Sequence, residues 1–64
     1  MNKIQIEKEL RDFTGRPFIS RSEVQNFLGV SSQTSVTRYV HGLEKVSGRY
    51  YVGDVAERIM VLAK

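Results

Sequence analysis

The stretch Ile19-Ser20-Arg21-Ser22-Glu23-Val24-Gln25-Asn26-Phe27-Leu28-Gly29-Val30-Ser31-Ser32-Gln33-Thr34-Ser35-Val36-Thr37-Arg38-Tyr39-Val40 carries two short helical patterns joined by a turn. Ser20 followed by Glu23 is a capping box, in which the serine caps the helix and the glutamate reaches back. Val24, Phe27 and Leu28 supply a buried face, and Gly29 stops the helix after about two turns. Val30 is a single apolar plug in the connection. Ser31 or Ser32 can cap the next helix, expected from about Gln33 to His41. Val36, Val40 and Leu43 fall on one face of it and point inward. Thr34, Thr37, Arg38 and His41 share the opposite face and point outward together.

Upstream, a first helix is expected from about Lys3 to Phe13, with Asn2 as N-cap. Ile6, Leu10 and Phe13 make its apolar face. Thr14-Gly15-Arg16-Pro17 ends it, and Phe18-Ile19 leads into the second helix. Downstream, Gly42 closes the third helix. Leu43-Glu44-Lys45-Val46 and Arg49-Tyr50-Tyr51-Val52 are two strand-like runs around Ser47-Gly48, a hairpin signal. Tyr50 and Tyr51 point to opposite sides, so one is core and one is exposed. Asp54 is expected to cap a last helix, with Glu57 completing a second box. Val55, Ile59 and Leu62 form its core face. The apolar run Ile59-Met60-Val61-Leu62-Ala63 leaves Met60 or Val61 partly exposed unless a partner covers it.

The order helix, helix, helix, hairpin, helix predicts an α+β, mostly helical chain. It reads as a winged helix-turn-helix: three helices, a β-hairpin wing and a C-terminal helix, in one domain over residues 1–64. A length of 64 residues leaves room for only a small core. Hydrophobic residues at 41% and charged residues at 27% suit a globular chain rather than a disordered one. With no cysteine and one histidine, disulfides, thiolate metal sites and multi-histidine metal sites are excluded. No apolar stretch approaches the ~20 residues that span a bilayer. The first residues lack the apolar region of a secretory signal, so a cytoplasmic protein without membrane contact is expected.

The formal net charge is +3, and its placement is uneven. Acidic and basic residues balance over residues 1–14 and again over residues 53–64. The whole excess lies in residues 15–52, where Arg16, Arg21, Arg38, Lys45 and Arg49 outweigh Glu23 and Glu44. A local positive field of this kind suits a polyanion partner.

Residues 19–31 resemble the opening of the helix-turn-helix in small excisionase-like and MerR-like DNA-binding proteins. Ser35-Val36-Thr37-Arg38-Tyr39-Val40 resembles the second helix of that motif. Tyr50-Tyr51-Val52-Gly53-Asp54-Val55-Ala56 looks like a wing strand leading into the following helix. The resemblance covers about residues 18–58. It departs from the pattern at Gln25, where a small residue is usual. It departs again between Gly29 and Val36, one residue longer than the commonest spacing. The resemblance implies duplex DNA as partner, in either phage or transposon recombination or compact transcriptional regulation.

The candidate contacts follow from chemistry. Polar side chains on a helix in the major groove can read base edges. Arg38 can donate twice to guanine and Gln33 can pair with adenine, while Thr34 and Thr37 are short enough to let the helix sit deep. His41 ends the same face. Ser31, Ser32 and Ser35 bring hydroxyls and free N–H groups to the helix start, which suits a phosphate. Lys45 and Arg49 flank the hairpin turn and can follow the backbone or the minor groove. Arg21 stands in the first turn of the second helix, a phosphate-facing place in this motif, and Arg16 can reach the same strand. Each of these residues has an ordinary alternative as a solvated or capping side chain. A lone histidine and scattered serines make no catalytic triad, and the singly placed glycines make no phosphate loop, so neither an enzyme nor a cofactor is expected. The competing reading is a protein-interaction module of winged shape, with the C-terminal helix meeting a second copy or a recombinase.

Overall fold

The computed structural model describes residues 2–62. In chain order these form α1 (Lys3–Thr14), β1 (Phe18–Ile19), α2 (Arg21–Leu28), α3 (Gln33–Val40), β2 (Lys45–Val46), β3 (Arg49–Tyr51) and α4 (Val52–Leu62). The result is a mostly helical α+β architecture with a small antiparallel sheet in the order β1-β3-β2.

Local chemistry sets most helix ends. The Asn2 side chain accepts the Gln5 N–H at 2.8 Å, which starts α1. At α2 the box closes in both directions. The Glu23 N–H donates to the Ser20 hydroxyl at 3.2 Å, and the Ser20 N–H donates to the Glu23 carboxylate at 3.0 Å. Gly15 and Gly29 end α1 and α2 in the left-handed conformation, their N–H groups reaching back to Arg11 and Gln25. Ser32 stands at the N-cap of α3 but makes no side-chain cap bond.

Several expectations need correction. Phe18 and Ile19, expected only to lead into α2, also form a strand, pairing with Tyr51 and Tyr50. The Thr14 hydroxyl prepares this turn, accepting the Arg16 N–H at 3.0 Å and lying 3.1 Å from the Phe18 carbonyl. Next, α4 starts at Val52, so Asp54 and Glu57 lie inside the helix and form no capping box. The Val52 N–H still donates to the Pro17 carbonyl at 3.0 Å, so the chain passes from sheet to helix with no loop between them. Asp54 keeps a favourable place in the first turn, at the positive end of the helix dipole. Finally, the hairpin strands are shorter than the runs Leu43–Val46 and Arg49–Val52, and Leu43 packs against the core instead.

The core gathers Ile6 and Leu10 of α1, Ile19, Val24, Val36, Val40, Tyr50, and Val52, Val55 and Ala56 of α4. Tyr50 is thus the inward tyrosine and Tyr51 the exposed one. Phe13 is 49% exposed rather than core. It lies at the end of α1 and packs edge-on against Phe27 of α2, with ring centroids 5.5 Å apart. Leu62, also expected inside, is exposed at the end of α4. The hairpin turn places Ser47 at φ 55° and Gly48 at φ 78°. Two positive values in a two-residue turn are the tight type whose twist matches the strands.

Gly53 is the one glycine where an added Cβ would meet neighbouring atoms among the described residues. A Cβ there would run into the Tyr51 ring and come within 3.1 Å of a Glu7 carboxylate oxygen. A side chain at this position would require the Tyr51 ring to shift.

Candidate nucleic-acid interface

α3 divides its side chains as its period requires. Val36 and Val40 are buried, while Gln33, Thr34 and Arg38 are exposed. His41 follows as the exposed C-cap residue. Ser31 and Ser32 are exposed in the connection, and Ser35 is half-buried. Thr34, Arg38 and His41 therefore form the open stripe of this helix. Thr37, expected beside them, is half-buried and turned toward α2.

A polar network explains the position of Thr37. The Arg21 Nε donates to Gln33 Oε1 at 3.1 Å, and its Nη2 donates to the Gln33 carbonyl at 2.9 Å and also to the Thr37 hydroxyl. The Thr37 hydroxyl in turn donates to the Gln33 carbonyl at 2.9 Å. Gln33 Nε2 donates to Gln25 Oε1 at 2.9 Å, and Gln25 Nε2 lies 3.5 Å from the Ser31 carbonyl. Arg21 is thus not a free surface arginine. Its Nε and Nη2 hold the start of α3 against α2, and Nη1 alone makes no hydrogen bond among the described residues. The Gln25 amide thus reaches both the connection and the first residue of α3. Sequence reasoning missed this role because the bonds depend on how the two helices cross.

On the other side of α3, Arg58 of α4 donates through Nη1 to the Arg38 carbonyl at 3.0 Å. Arg58 is a cation beside the stripe that periodicity did not single out. The α3 segment itself contains no acidic residue.

The hairpin residues separate. Lys45 is exposed, with its Nζ 5.6 Å from the centroid of the Tyr50 ring, within cation–π range. Arg49 is half-buried, and its buried Nε has no hydrogen-bond partner among the described residues. Its charge acts on Glu23, at the start of α2. The Glu23 carboxyl is held below the ordinary value of 4.5, chiefly by the Ser20 backbone N–H. The Ser20 hydroxyl and the charges of Arg16 and Arg49 add to this, against a partial burial that raises it. Arg49 pairs with Val46 across the two-residue turn, and its charge also reaches Glu23 in α2.

Among the described residues no group of three His, Asp or Glu side chains could hold a metal ion, and no helix is long and apolar enough to cross a membrane. Comparison with protein-family models, with curated proteins and with solved structures gives no match.

Proposed function

We propose that this chain is a sequence-specific double-stranded DNA-binding protein of the winged helix-turn-helix type. The observation that carries the proposal is the division of α3: Val36 and Val40 anchored inside, Thr34, Arg38 and His41 open, and no carboxylate between them. B-DNA's major groove admits one helix, whose polar side chains then meet base edges. Exposed Ser31 and Ser32 stand before the first turn of α3, where backbone N–H groups suit a phosphate. The β2–β3 hairpin follows α3 directly and carries exposed Lys45, as a wing would. In biological terms the reading is an excisionase-like directionality factor or a small transcriptional regulator of a phage or mobile element.

Neutralising ~3–5 phosphates would give log K against log salt a slope of roughly −3 to −4.5. Gel-shift titrations with random-sequence and enriched duplexes at several salt concentrations test this. A salt-sensitive shift with sequence preference supports the proposal; no shift at micromolar protein overturns it.

One observation favours the interaction module. Ile4 is 80% exposed and Val61 59% exposed, and both are large apolar side chains. Sedimentation at several concentrations, with charge reversal at Arg38 and Lys45, separates the readings. Association that survives both reversals, with no DNA shift, favours the module.

A further inference from the structure

We infer that Gln25 and Arg21 are positioning residues that fix the Gln33 side-chain amide as a reader of adenine, an inference that rests on the DNA-binding reading above. Gln33 is exposed and is the first residue of α3. The N-terminal residues of a recognition helix are those that reach base edges.

The sense of the amide follows from chemistry. An arginine only donates, so the Gln33 atom 3.1 Å from the Arg21 Nε has to be oxygen. The amide nitrogen then faces Gln25 Oε1, at 2.9 Å. A primary amide has two N–H groups and two oxygen lone pairs. One N–H is engaged by Gln25 and one lone pair by Arg21. A single donor and a single acceptor remain, and the two bonds fix which end of the amide carries each.

The major-groove edges of the bases discriminate against that remainder. Adenine shows one acceptor, N7, and one donor, the N6 amino group, so it uses both groups of Gln33. Guanine shows two acceptors, N7 and O6. Only one N–H is left to meet them, and the amide oxygen would face O6 with no hydrogen between. Thymine and cytosine each use one group of the pair. A glutamine free to rotate could offer both N–H groups to guanine. The network removes that option before DNA arrives.

The experiment enriches duplexes from a random-sequence library with the wild-type chain, Gln25→Met and Gln25→Glu. It then measures affinity for the enriched site and for its adenine-to-guanine change. Wild type should select adenine at one position and lose roughly 5- to 150-fold on the change to guanine, the range of one bidentate base contact. Gln25→Met keeps the side-chain shape and removes the acceptor. Its adenine-to-guanine ratio should fall several-fold at that position alone, whereas a merely structural role would shift all positions together. Gln25→Glu keeps an acceptor and should retain the ratio while binding all sequences more weakly. Without DNA, nitrogen relaxation of the Gln33 side-chain amide should be rigid in wild type and in Gln25→Glu, and mobile in Gln25→Met. These amide spectra also report whether each variant is folded. Enriched sites whose adenine preference survives Gln25→Met, or a Gln33 amide already mobile in wild type, overturn the inference and leave DNA binding standing. A library that yields no enriched sequence, with a rigid Gln33 amide, overturns the DNA-binding reading and this inference with it.

Discussion

Arg58 of α4 donates to the main-chain carbonyl of Arg38 at the end of α3, twenty residues away, at 3.0 Å. The last turn of a helix leaves carbonyls without intrahelical partners, and a cation there also meets the negative end of the helix dipole. The bond ties the exposed stripe of α3 to the helix that packs behind it. Arg58→Ala should lower stability by about 1 kcal/mol, the net worth of one such hydrogen bond. Urea unfolding should show a lower midpoint with an unchanged slope. A midpoint equal to wild type would show that the bond contributes nothing.

Arg38 and Lys45 are exposed but should behave differently in DNA titrations. If Arg38 reads a base edge, Arg38→Ala reduces discrimination at one base pair by about 1–3 kcal/mol. If Lys45 meets phosphate, Lys45→Ala weakens all sequences alike and lowers the salt slope by roughly 1. Arg49→Ala is less clean, because the charge of Arg49 also acts on Glu23 in α2. Equal losses on specific and scrambled duplexes for Arg38→Ala would remove it from base readout.

The Glu23 carboxyl has a depressed folded-state pKa, held down mainly by the Ser20 N–H. A depressed value means that its contribution to stability is present above the unfolded-state pKa and is lost as pH falls through the folded-state value. Stability should therefore decline as pH drops below about the ordinary 4.5. Glu23→Gln, which can still accept the Ser20 N–H, should lower stability at neutral pH and flatten that acid limb. Ser20→Ala should cost about 1 kcal/mol as the loss of an N-cap. Thermal melts across the acid range check all three, and an acid limb unchanged in Glu23→Gln would exclude Glu23 as its source.

Gly53 and Tyr51 are coupled by space. A methyl group at Gly53 would displace the Tyr51 ring, which packs edge-on against Phe18 with centroids 6.0 Å apart. Gly53→Ala should destabilise by roughly 1–3 kcal/mol, the range for overpacking, despite the better helix propensity of alanine. In a Tyr51→Ala background the same change should cost much less. A double-mutant cycle measures the difference. Strict additivity would mean that the ring yields freely.

The parts of this fold written in short-range chemistry were legible in the sequence. The Asn2 cap, the Ser20–Glu23 box and the stop at Gly29 each involve residues a few positions apart, and all three occur where expected. The inward and outward faces of α3 followed from its period, with Thr37 the exception. What was hidden depends on distant partners. β1 has only two residues and no pattern of its own; it is a strand because Tyr50 and Tyr51 arrive beside it. Thr37 lies at the flank of α3, and its partner there, Arg21, stands sixteen residues earlier. Tyr50 and Tyr51 could be assigned to core and surface only once the strand register was known.

Placing β3 in the middle of the sheet has a kinetic consequence. Its partner β2 lies across a two-residue turn and can zip within microseconds of collapse. Its partner β1 is separated from it by α2 and α3, so Phe18 and Tyr51 meet only after a long loop has closed, at an entropic cost that local pairing never meets. If the Phe18–Tyr51 seam closes after the rate-limiting step, substitutions there should hasten unfolding more than they slow refolding.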